Sequence, residues 1–308
     1  MLAVCAPGQG SQFSGMLKPW LVIPKIKSAI SDFSDQLEID LGEIGCNYAD
    51  NEIRTTDLAQ VLIVVNSIIS QKLLRDNLNS KNDIVYAGHS VGEIAAGLFS
   101  GIYSVDSALS LVRKRGIAMA KAASKSSETG MAAILGGSKE EVINYLVQFN
   151  LIAANINSDG QIVAAGKKSD LINLQENPMV NTRVRSLDVA AAFHTNYMDS
   201  AKNEFEYFIS TIEVSDPNSG VLSNSDGQKV LSGKDFADKL VHQITSPVRW
   251  DLCQESFISL GVTGMLELAP GNTLCGIAKR QIPDVETFAF KSPEDLQGAL
   301  DFINKHTI

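Results

Sequence analysis

The stretch that decides the fold is residues 84–93, which read IVYAGHSVGE. Its first four residues are apolar or aromatic and predict a short buried strand, and a helical pattern resumes over residues 93–99. Between the two lies G-x-S-x-G, the pattern of a nucleophile elbow, in which glycines allow a tight turn that strains the central residue. The pattern therefore predicts that Ser90 lies exposed at the N-terminus of a helix, whose dipole favours a developing oxyanion.

A Gly-rich turn with an ordinary serine would give the same five residues, so this interpretation depends on the strand and helix around it. A phosphate-binding P-loop is excluded because the stretch lacks its lysine. A second Gly-rich segment, residues 8–13 (GQGSQF), lacks the third glycine of a dinucleotide-binding fingerprint. It directly follows the first predicted strand, so it is either an oxyanion-hole loop whose N–H groups face Ser90 or a plain β-to-α turn.

A serine nucleophile requires a base, and histidine is the usual one. The chain contains His89, His194, His242 and His306. His89 adjoins the serine inside the elbow and His306 lies in the C-terminal tail, whereas His194 follows a run of small residues and lies in a predicted loop. His194 is therefore the candidate base, with a structural role as the alternative.

Arg115 is predicted to face the protein interior. Residues 106–120 form an amphipathic helical pattern, and Arg115 falls on its apolar face. The apolar positions of that face are Ala108, Leu111, Val112 and Met119. A guanidinium keeps its charge in proteins, so a buried one requires an anionic partner. The sequence leaves two partners open, which are a buried Asp or Glu and a substrate carboxylate bound by two parallel hydrogen bonds.

The composition favours a globular protein and excludes several partners. The chain has 308 residues, of which 44% are hydrophobic and 20% charged, enough apolar material for a sizeable core. The net charge of -9 argues against nucleic acid or an anionic membrane as partner, because both require a broad basic surface. The sequence has no recognisable signal peptide, and no apolar run is expected to approach the about 20 residues that span a bilayer, so we expect a cytoplasmic protein.

Metal and disulfide sites are not indicated. The cysteines lie far apart, without a CxxC pair or a histidine at metal-ligand spacing, and they are Cys5, Cys46, Cys253 and Cys275. We therefore expect reduced thiols in an intracellular compartment and no bound metal.

The chain is predicted to be an α/β protein with an insertion. Strands alternate with helices before residue 122 and again after residue 194, which predicts a parallel sheet covered on both faces. Residues 123–193 instead follow the order β-α-β-β-α-β, in which Ser138 and Ser169 are predicted to cap the two helices and residues 183–189 to form the last strand. We expect residues 1–122 and 194–308 to form one discontinuous domain and residues 123–193 to form a small ferredoxin-like subdomain.

Six motifs occur together and in order along the chain. They are PGQGSQ at residues 7–12, GHSVGE at 88–93, Arg115-Gly116, Asn155-x-Asn157-Ser158, Ala192-Phe193-His194, and Gln243 before Pro247-Val248-x-Trp250. With these motifs the chain resembles the malonyl-CoA:acyl-carrier-protein transacylase family over essentially its whole length, and its actinobacterial members most of all. The resemblance implies an α/β-hydrolase-like core with a ferredoxin-like insertion.

The resemblance also implies a role for each site residue. Ser90 corresponds to the acylated nucleophile, His194 to its base, and Arg115 to the residue that binds the free malonyl carboxylate. The remaining positions are Gln9 and Val91, whose backbone N–H groups would form the oxyanion hole, with Gln9 also contacting substrate, and Gln243, whose backbone carbonyl would orient the histidine. Residues 192–194 resemble the malonyl-selecting form of their motif.

The implied reaction is a ping-pong transfer of a malonyl group from malonyl-CoA to the phosphopantetheine thiol of acyl carrier protein, for fatty acid, mycolate or polyketide synthesis. It requires no bound cofactor and no metal, and we expect a monomer. The alternative is a serine esterase or thioesterase on the same core, which predicts an Asp or Glu orienting the histidine and an apolar acyl pocket. A non-catalytic protein that only shares the fold has less support, because a nucleophile, a base and a cation for a carboxylate are all present.

Overall fold

The computed structural model describes residues 1–76 and 83–307. The strands are β1 (Leu2–Ala6), β2 (Ile84–Gly88), β3 (Thr129–Leu135), β4 (Ile152–Ser158), β5 (Gln161–Lys167), β6 (Arg183–Ser186), β7 (Gly220–Val221), β8 (Val248–Arg249), β9 (Gly264–Glu267) and β10 (Glu286–Ala289). The helices are α1 (Pro24–Leu37), α2 (Leu41–Asn47), α3 (Asp50–Ile53), α4 (Thr56–Arg75), α5 (Gly92–Phe99), α6 (Val105–Ser124), α7 (Lys139–Val147), α8 (Lys168–Glu176), α9 (Asp199–Ile209), α10 (Gly233–Gln243), α11 (Trp250–Ser259), α12 (Thr273–Gln281) and α13 (Leu296–His306).

A parallel sheet lies at the centre of the larger part, in the order β10-β9-β1-β2-β7. Strand β1 pairs with β2 from Leu2 opposite Ile84 to Ala6 opposite Gly88, so both strands end at the same edge. The carboxyl ends of neighbouring parallel strands meet at one edge of a sheet, and the two Gly-rich segments follow β1 and β2 there. The predicted α/β class and parallel sheet are confirmed.

Both faces of this sheet are covered because side chains alternate along each strand. Leu2 and Val4 of β1 belong to a large core cluster that also contains residues of α4, α5 and α6. Ala3 and Cys5 point the other way, into a second cluster with residues of α11 and α12. All five residues of β1 are buried, as expected of a central strand.

Helix α4 is long and apolar enough, by length and composition alone, to cross a membrane. The prediction that no apolar run approaches the length of a membrane span was therefore wrong for this 20-residue helix, because its few polar residues are spread among apolar ones. Inside the fold, 83% of its apolar window is buried, and it packs against α6. The burial identifies α4 as a core helix of this fold, whose apolar surface is covered by protein.

A second sheet contains the inserted segment, in the order β6-β3-β5-β4-β8. Strands β3, β4, β5 and β6 pair antiparallel, whereas β8 adds parallel to β4 from the later part of the chain. This sheet has its own apolar cluster, which includes Ile134, Leu146, Ile156, Ile162 and Leu174. The predicted succession of strands and helices through residues 129–186 is confirmed.

Two local predictions in this segment were wrong. Ser169 does not cap α8, because the helix begins one residue earlier, at Lys168, whose N–H donates to the Glu128 carbonyl at 2.8 Å. Strand β6 ends at Ser186 and not at residue 189. The Leu187 N–H still donates to the Met131 carbonyl, but beyond it the chain turns toward the cleft. The other predicted cap is correct, with Ser138 Oγ accepting the Glu141 N–H at 3.4 Å.

Candidate active site

Ser90 lies at the sharp turn between β2 and α5, as the elbow pattern predicted. Its φ of 53° lies in the left-handed region, which side chains adopt rarely and usually under constraint from their surroundings. The flanking glycines provide that constraint. A Cβ on Gly88 would collide with the Gly92 backbone, and one on Gly92 would collide with the Ala6 carbonyl. The turn therefore holds the Ser90 hydroxyl at the start of α5, beside the carboxyl end of β1.

His194 contacts Ser90 and is oriented by a backbone carbonyl. The His194 Nε2 atom lies 2.8 Å from Ser90 Oγ, and its Nδ1 atom lies 2.7 Å from the Gln243 carbonyl oxygen. A carbonyl can only accept, so Nδ1 carries the proton and Nε2 is free to accept the serine proton. The arrangement has the geometry of a nucleophile and base with a neutral third member.

The pKa of His194 favours this proton-accepting state. Burial, and then the positive charge of Arg115, lower the pKa of His194 to about 3. The imidazole is therefore neutral at every pH near 7, which is the state that can take a proton from Ser90.

The Gly-rich loop after β1 lies against the elbow. The His89 N–H donates to the Ala6 carbonyl at 3.0 Å, and a Cβ on Gly8 would lie 2.7 Å from the His89 carbonyl oxygen. Within residues 1–76 and 83–307, the backbone N–H groups of Gln9 and Val91 have no hydrogen-bond partner. Two unpaired donors on the segments that adjoin Ser90 are therefore available to an oxyanion.

Arg115 is fully buried and directed at the serine. Its Nη2 atom lies 3.3 Å from Ser90 Oγ and donates to Gln243 Oε1 at 2.8 Å, while Nη1 donates to Gln60 Oε1 at 2.7 Å. Among the described residues, no carboxylate lies within 4.0 Å of the guanidinium, and its Nε–H has no partner. Burial lowers the pKa of Arg115 to about 10, so it keeps its charge at neutral pH. The Glu93 carboxylate attracts the guanidinium only from beyond that distance, so the cation can still pair directly with a carboxylate ligand.

Three further residues hydrogen-bond to Ser90, Arg115 or Gln243 and were not assigned a role from the sequence. Gln60 is a buried polar residue on the apolar helix α4, a signal that could have identified it. Asn224 binds the elbow, accepting the Ser90 N–H at 2.8 Å and donating to the Gly88 carbonyl at 2.8 Å, but it lies in an unremarkable loop of the sequence. Glu93 belongs to the elbow motif and is almost fully buried.

The site opens into a cleft of about 430 Å³ between the two sheets. Its walls come from the loop after β1, the elbow, strands β3 to β5, and the N-terminal half of α12. Phe193 and Met131 make part of it apolar, whereas Asn155 and Asn157 contribute amide groups. The Asn157 side chain also fixes His89, whose Nε2 lies 2.8 Å from its Oδ1 atom.

Residues 4–290 match the family model described as the acyl transferase domain. Across 297 residues the chain is 44% identical to the malonyl CoA-acyl carrier protein transacylase of Mycobacterium tuberculosis, an alignment that covers 96% of this chain and 98% of the relative. The transacylase of the same name from Bacillus subtilis is 30% identical over 99% of this chain and 98% of its own.

The solved structures agree with the sequence comparison. The crystal structure of MCAT from Mycobacterium tuberculosis superposes with a TM-score of 0.93 at 44% identity, covering 97% of this chain and 99% of that one. The acyl-carrier-protein S-malonyltransferase of Burkholderia pseudomallei gives a TM-score of 0.91 at 28% identity, over 97% and 99% of the two chains. The chain therefore belongs to the malonyl CoA-acyl carrier protein transacylase family, as its motifs indicated, and it is an acyltransferase.

Proposed function

We propose that this protein transfers the malonyl group of malonyl-CoA to the phosphopantetheine thiol of acyl carrier protein. The observation that carries the proposal is Arg115, a buried cation without an adjacent carboxylate, 3.3 Å from the Ser90 hydroxyl. An acyl group that bears its own carboxylate complements this site, whereas an uncharged acyl group leaves the guanidinium unpaired. The names of the relatives, which are malonyl transacylases, agree with that chemistry.

In the first half-reaction, Ser90 Oγ attacks the thioester carbonyl as His194 Nε2 takes its proton. The tetrahedral oxyanion accepts hydrogen bonds from the backbone N–H groups of Gln9 and Val91, which have no other partner among the described residues. The carbon–sulfur bond then breaks, His194 returns its proton to the sulfur, and coenzyme A leaves as the thiol. Gln243 holds the imidazole through its backbone carbonyl throughout.

The second half-reaction repeats these steps with a different nucleophile. His194 removes the proton of the phosphopantetheine thiol, whose sulfur attacks the malonyl-serine ester. The carbon–oxygen bond to Ser90 breaks, and the serine oxygen recovers the proton from His194. No step involves a metal or a bound cofactor, and malonyl-CoA is a substrate.

Substitution of Arg115 is expected to change acyl selectivity. Without the guanidinium, Arg115→Ala should lower kcat/KM for malonyl-CoA relative to acetyl-CoA on the order of a hundredfold, because the malonyl carboxylate would be buried without its partner. Arg115→Lys should restore little, since an ammonium cannot reproduce two parallel hydrogen bonds. The measurement is the malonyl-to-acetyl ratio of kcat/KM in each variant.

Arg113→Ala is the matched control, because Arg113 lies on the same helix but is paired with Asp57 at 3.7 Å. It should leave the ratio unchanged. A wild-type ratio in Arg115→Ala would mean that the carboxylate is bound elsewhere and that Arg115 serves only the buried network.

The two sheets also suggest how the chain divides into domains. We assign residues 1–122 and 194–308 to an α/β-hydrolase-like domain and residues 123–193 to a ferredoxin-like subdomain. The strand order β6-β3-β5-β4, with antiparallel pairing throughout, and the separate apolar cluster support the second assignment. The parallel sheet with a serine at the turn after β2 supports the first.

The proposed partners are malonyl-CoA and acyl carrier protein, without nucleic acid or membrane. A relative at 27% identity and a TM-score of 0.92 is described in complex with a type II PKS acyl-carrier protein. The net charge of -9 supports the exclusion of polyanionic partners. We also propose a monomer, in which one copy of the chain contributes both Ser90 and His194, and a cytoplasmic location, which the free buried thiols support.

The competing function is a serine esterase or thioesterase, in which water completes the second half-reaction. Two contacts argue against an esterase. His194 Nδ1 bonds to the Gln243 carbonyl and not to an acidic side chain, and the charged Arg115 lies beside Ser90. The test measures malonate and malonyl-carrier protein together, with malonyl-CoA and the holo carrier protein present. We expect malonyl-carrier protein to dominate, and release of malonate faster than transfer would favour the esterase.

A further inference from the structure

Glu93 occupies the junction between the parts of this site. Its Oε1 atom accepts the backbone N–H of Asn224, and its Oε2 atom accepts the side-chain amide of Gln243. The carboxylate is 1% exposed, so these protein donors replace the water that normally solvates it. Each of its two oxygens therefore holds a different residue of the active-site network.

The first of these residues fixes the nucleophile. The Asn224 side chain accepts the Ser90 N–H at 2.8 Å and donates to the Gly88 carbonyl at 2.8 Å. These two bonds join the loop after β7 to the first and the central residue of the strained elbow turn. A shift of the Asn224 backbone away from Glu93 would therefore displace Ser90.

The second residue fixes the base and the cation. The Gln243 amide donates to Glu93 and, at 3.1 Å, to the Ser90 carbonyl, while its Oε1 atom accepts from Arg115 at 2.8 Å. Its backbone carbonyl holds His194. An acceptor at Glu93 thus selects the amide orientation in which the Gln243 oxygen, and not its NH₂ group, faces the guanidinium.

We propose that Glu93 is a positioning residue, whose ionised carboxylate aligns Ser90 through Asn224 and aligns His194 and Arg115 through Gln243. In the ionised form both oxygens are charged acceptors, whereas protonation turns one of them into an O–H donor and a weaker acceptor. Protonation would also remove the negative charge that attracts Arg115 from beyond hydrogen-bond distance, across the Gln243 amide. The inference rests on the proposed malonyl transfer, because its readout is acylation of Ser90.

The groups that face Glu93 determine how the network responds to pH. Arg115 on α6 supplies the positive charge, whereas Tyr103 before α6 and Cys253 on α11 are neutral, because burial raises the pKa of both. Beyond Gln243, burial lowers the pKa of His194 to about 3. None of these groups changes its charge near pH 7.

Glu93 itself does titrate in that range. Burial raises the pKa of its carboxyl to about 7, although the Asn224 N–H and Arg115 oppose that rise. The carboxylate is charged above pH 7 and becomes protonated below it. Acylation should therefore slow as the pH falls through about 7, far above the range in which His194 gains a proton.

The experiment measures the single-turnover rate of Ser90 acylation by malonyl-CoA on both sides of pH 7, in the wild type and in Glu93→Gln. The wild-type rate should rise through a single midpoint near pH 7. Glu93→Gln keeps the shape of the side chain but not its charge, so its rate should not vary with pH. The acylation rate of Glu93→Gln should also stay close to that of the wild type at low pH. We expect this rate to be on the order of tenfold below the wild-type rate at high pH.

Glu267→Gln is the matched control, since Glu267 is another fully buried carboxylate that instead accepts the Cys275 N–H at the start of α12. It should keep the wild-type midpoint even if it lowers thermal stability. The inference is overturned if Glu93→Gln retains the midpoint, if Glu267→Gln also loses it, or if the wild-type rate does not vary. This last result is measured on the wild type alone, so it tests the inference even if a variant does not fold. A wild type that forms no malonyl adduct at any pH would instead contradict the proposed function, and this inference with it.

Discussion

Replacement of His194 by alanine is expected to slow acylation of Ser90 on the order of 10²–10⁴-fold, the usual effect of losing a general base. The Nε2 atom of His194 lies 2.8 Å from Ser90 Oγ. Among the described residues, no other histidine or carboxylate hydrogen-bonds to that oxygen. Arg115, which does contact it, keeps its proton and cannot serve as a base.

The measurement is the single-turnover rate of malonyl-serine formation, followed by rapid mixing and acid quench. His242→Ala is the control, because His242 is exposed on the last turn of α10, next to Gln243, and does not contact Ser90. It should acylate at the wild-type rate. Equal rates for the wild type and His194→Ala would assign His194 a purely structural role.

Local sequence patterns predicted much of the framework of this site. The glycines of residues 88–92 permit a tight turn that side chains would block, and the strand and helix patterns on either side place that turn, so the elbow could be located from local patterns. Arg115 could be placed on a buried face because helical periodicity fixes which side chains share a face. Its ligand could not be inferred in the same way, since an ion pair with a distant acid gives the same pattern.

The long-range contacts could not be predicted from local patterns. Asn224 contacts an elbow that lies 134 positions before it, and Gln243 contacts Arg115 across 128 positions. The role of the Gln243 backbone carbonyl was available only from the family resemblance, because any residue type offers a carbonyl. Ser169 shows that a local signal can also mislead. It is a favourable capping residue, but α8 begins before it, at Lys168, whose N–H donates to the Glu128 carbonyl.

Replacement of Ser90 by alanine is expected to abolish acylation while the fold is retained. Only the Oγ atom is removed, from a turn whose shape is imposed by Gly88 and Gly92. The neighbouring His194 and Arg115 keep their bonds to Gln243. Ser100→Ala is a suitable control, because Ser100 is a buried serine directly after α5, the helix that follows the elbow, and it hydrogen-bonds only to backbone atoms.

Intact mass is the most direct test of a malonyl-serine intermediate at Ser90 on the way to acyl carrier protein. The wild type and Ser100→Ala should each gain one malonyl group with malonyl-CoA and lose it when holo acyl carrier protein is added, with the group then found on the carrier. Ser90→Ala should show no gain, with a thermal unfolding midpoint near that of the wild type. A malonyl adduct on folded Ser90→Ala, or a wild-type adduct that the carrier protein does not remove, would contradict the account.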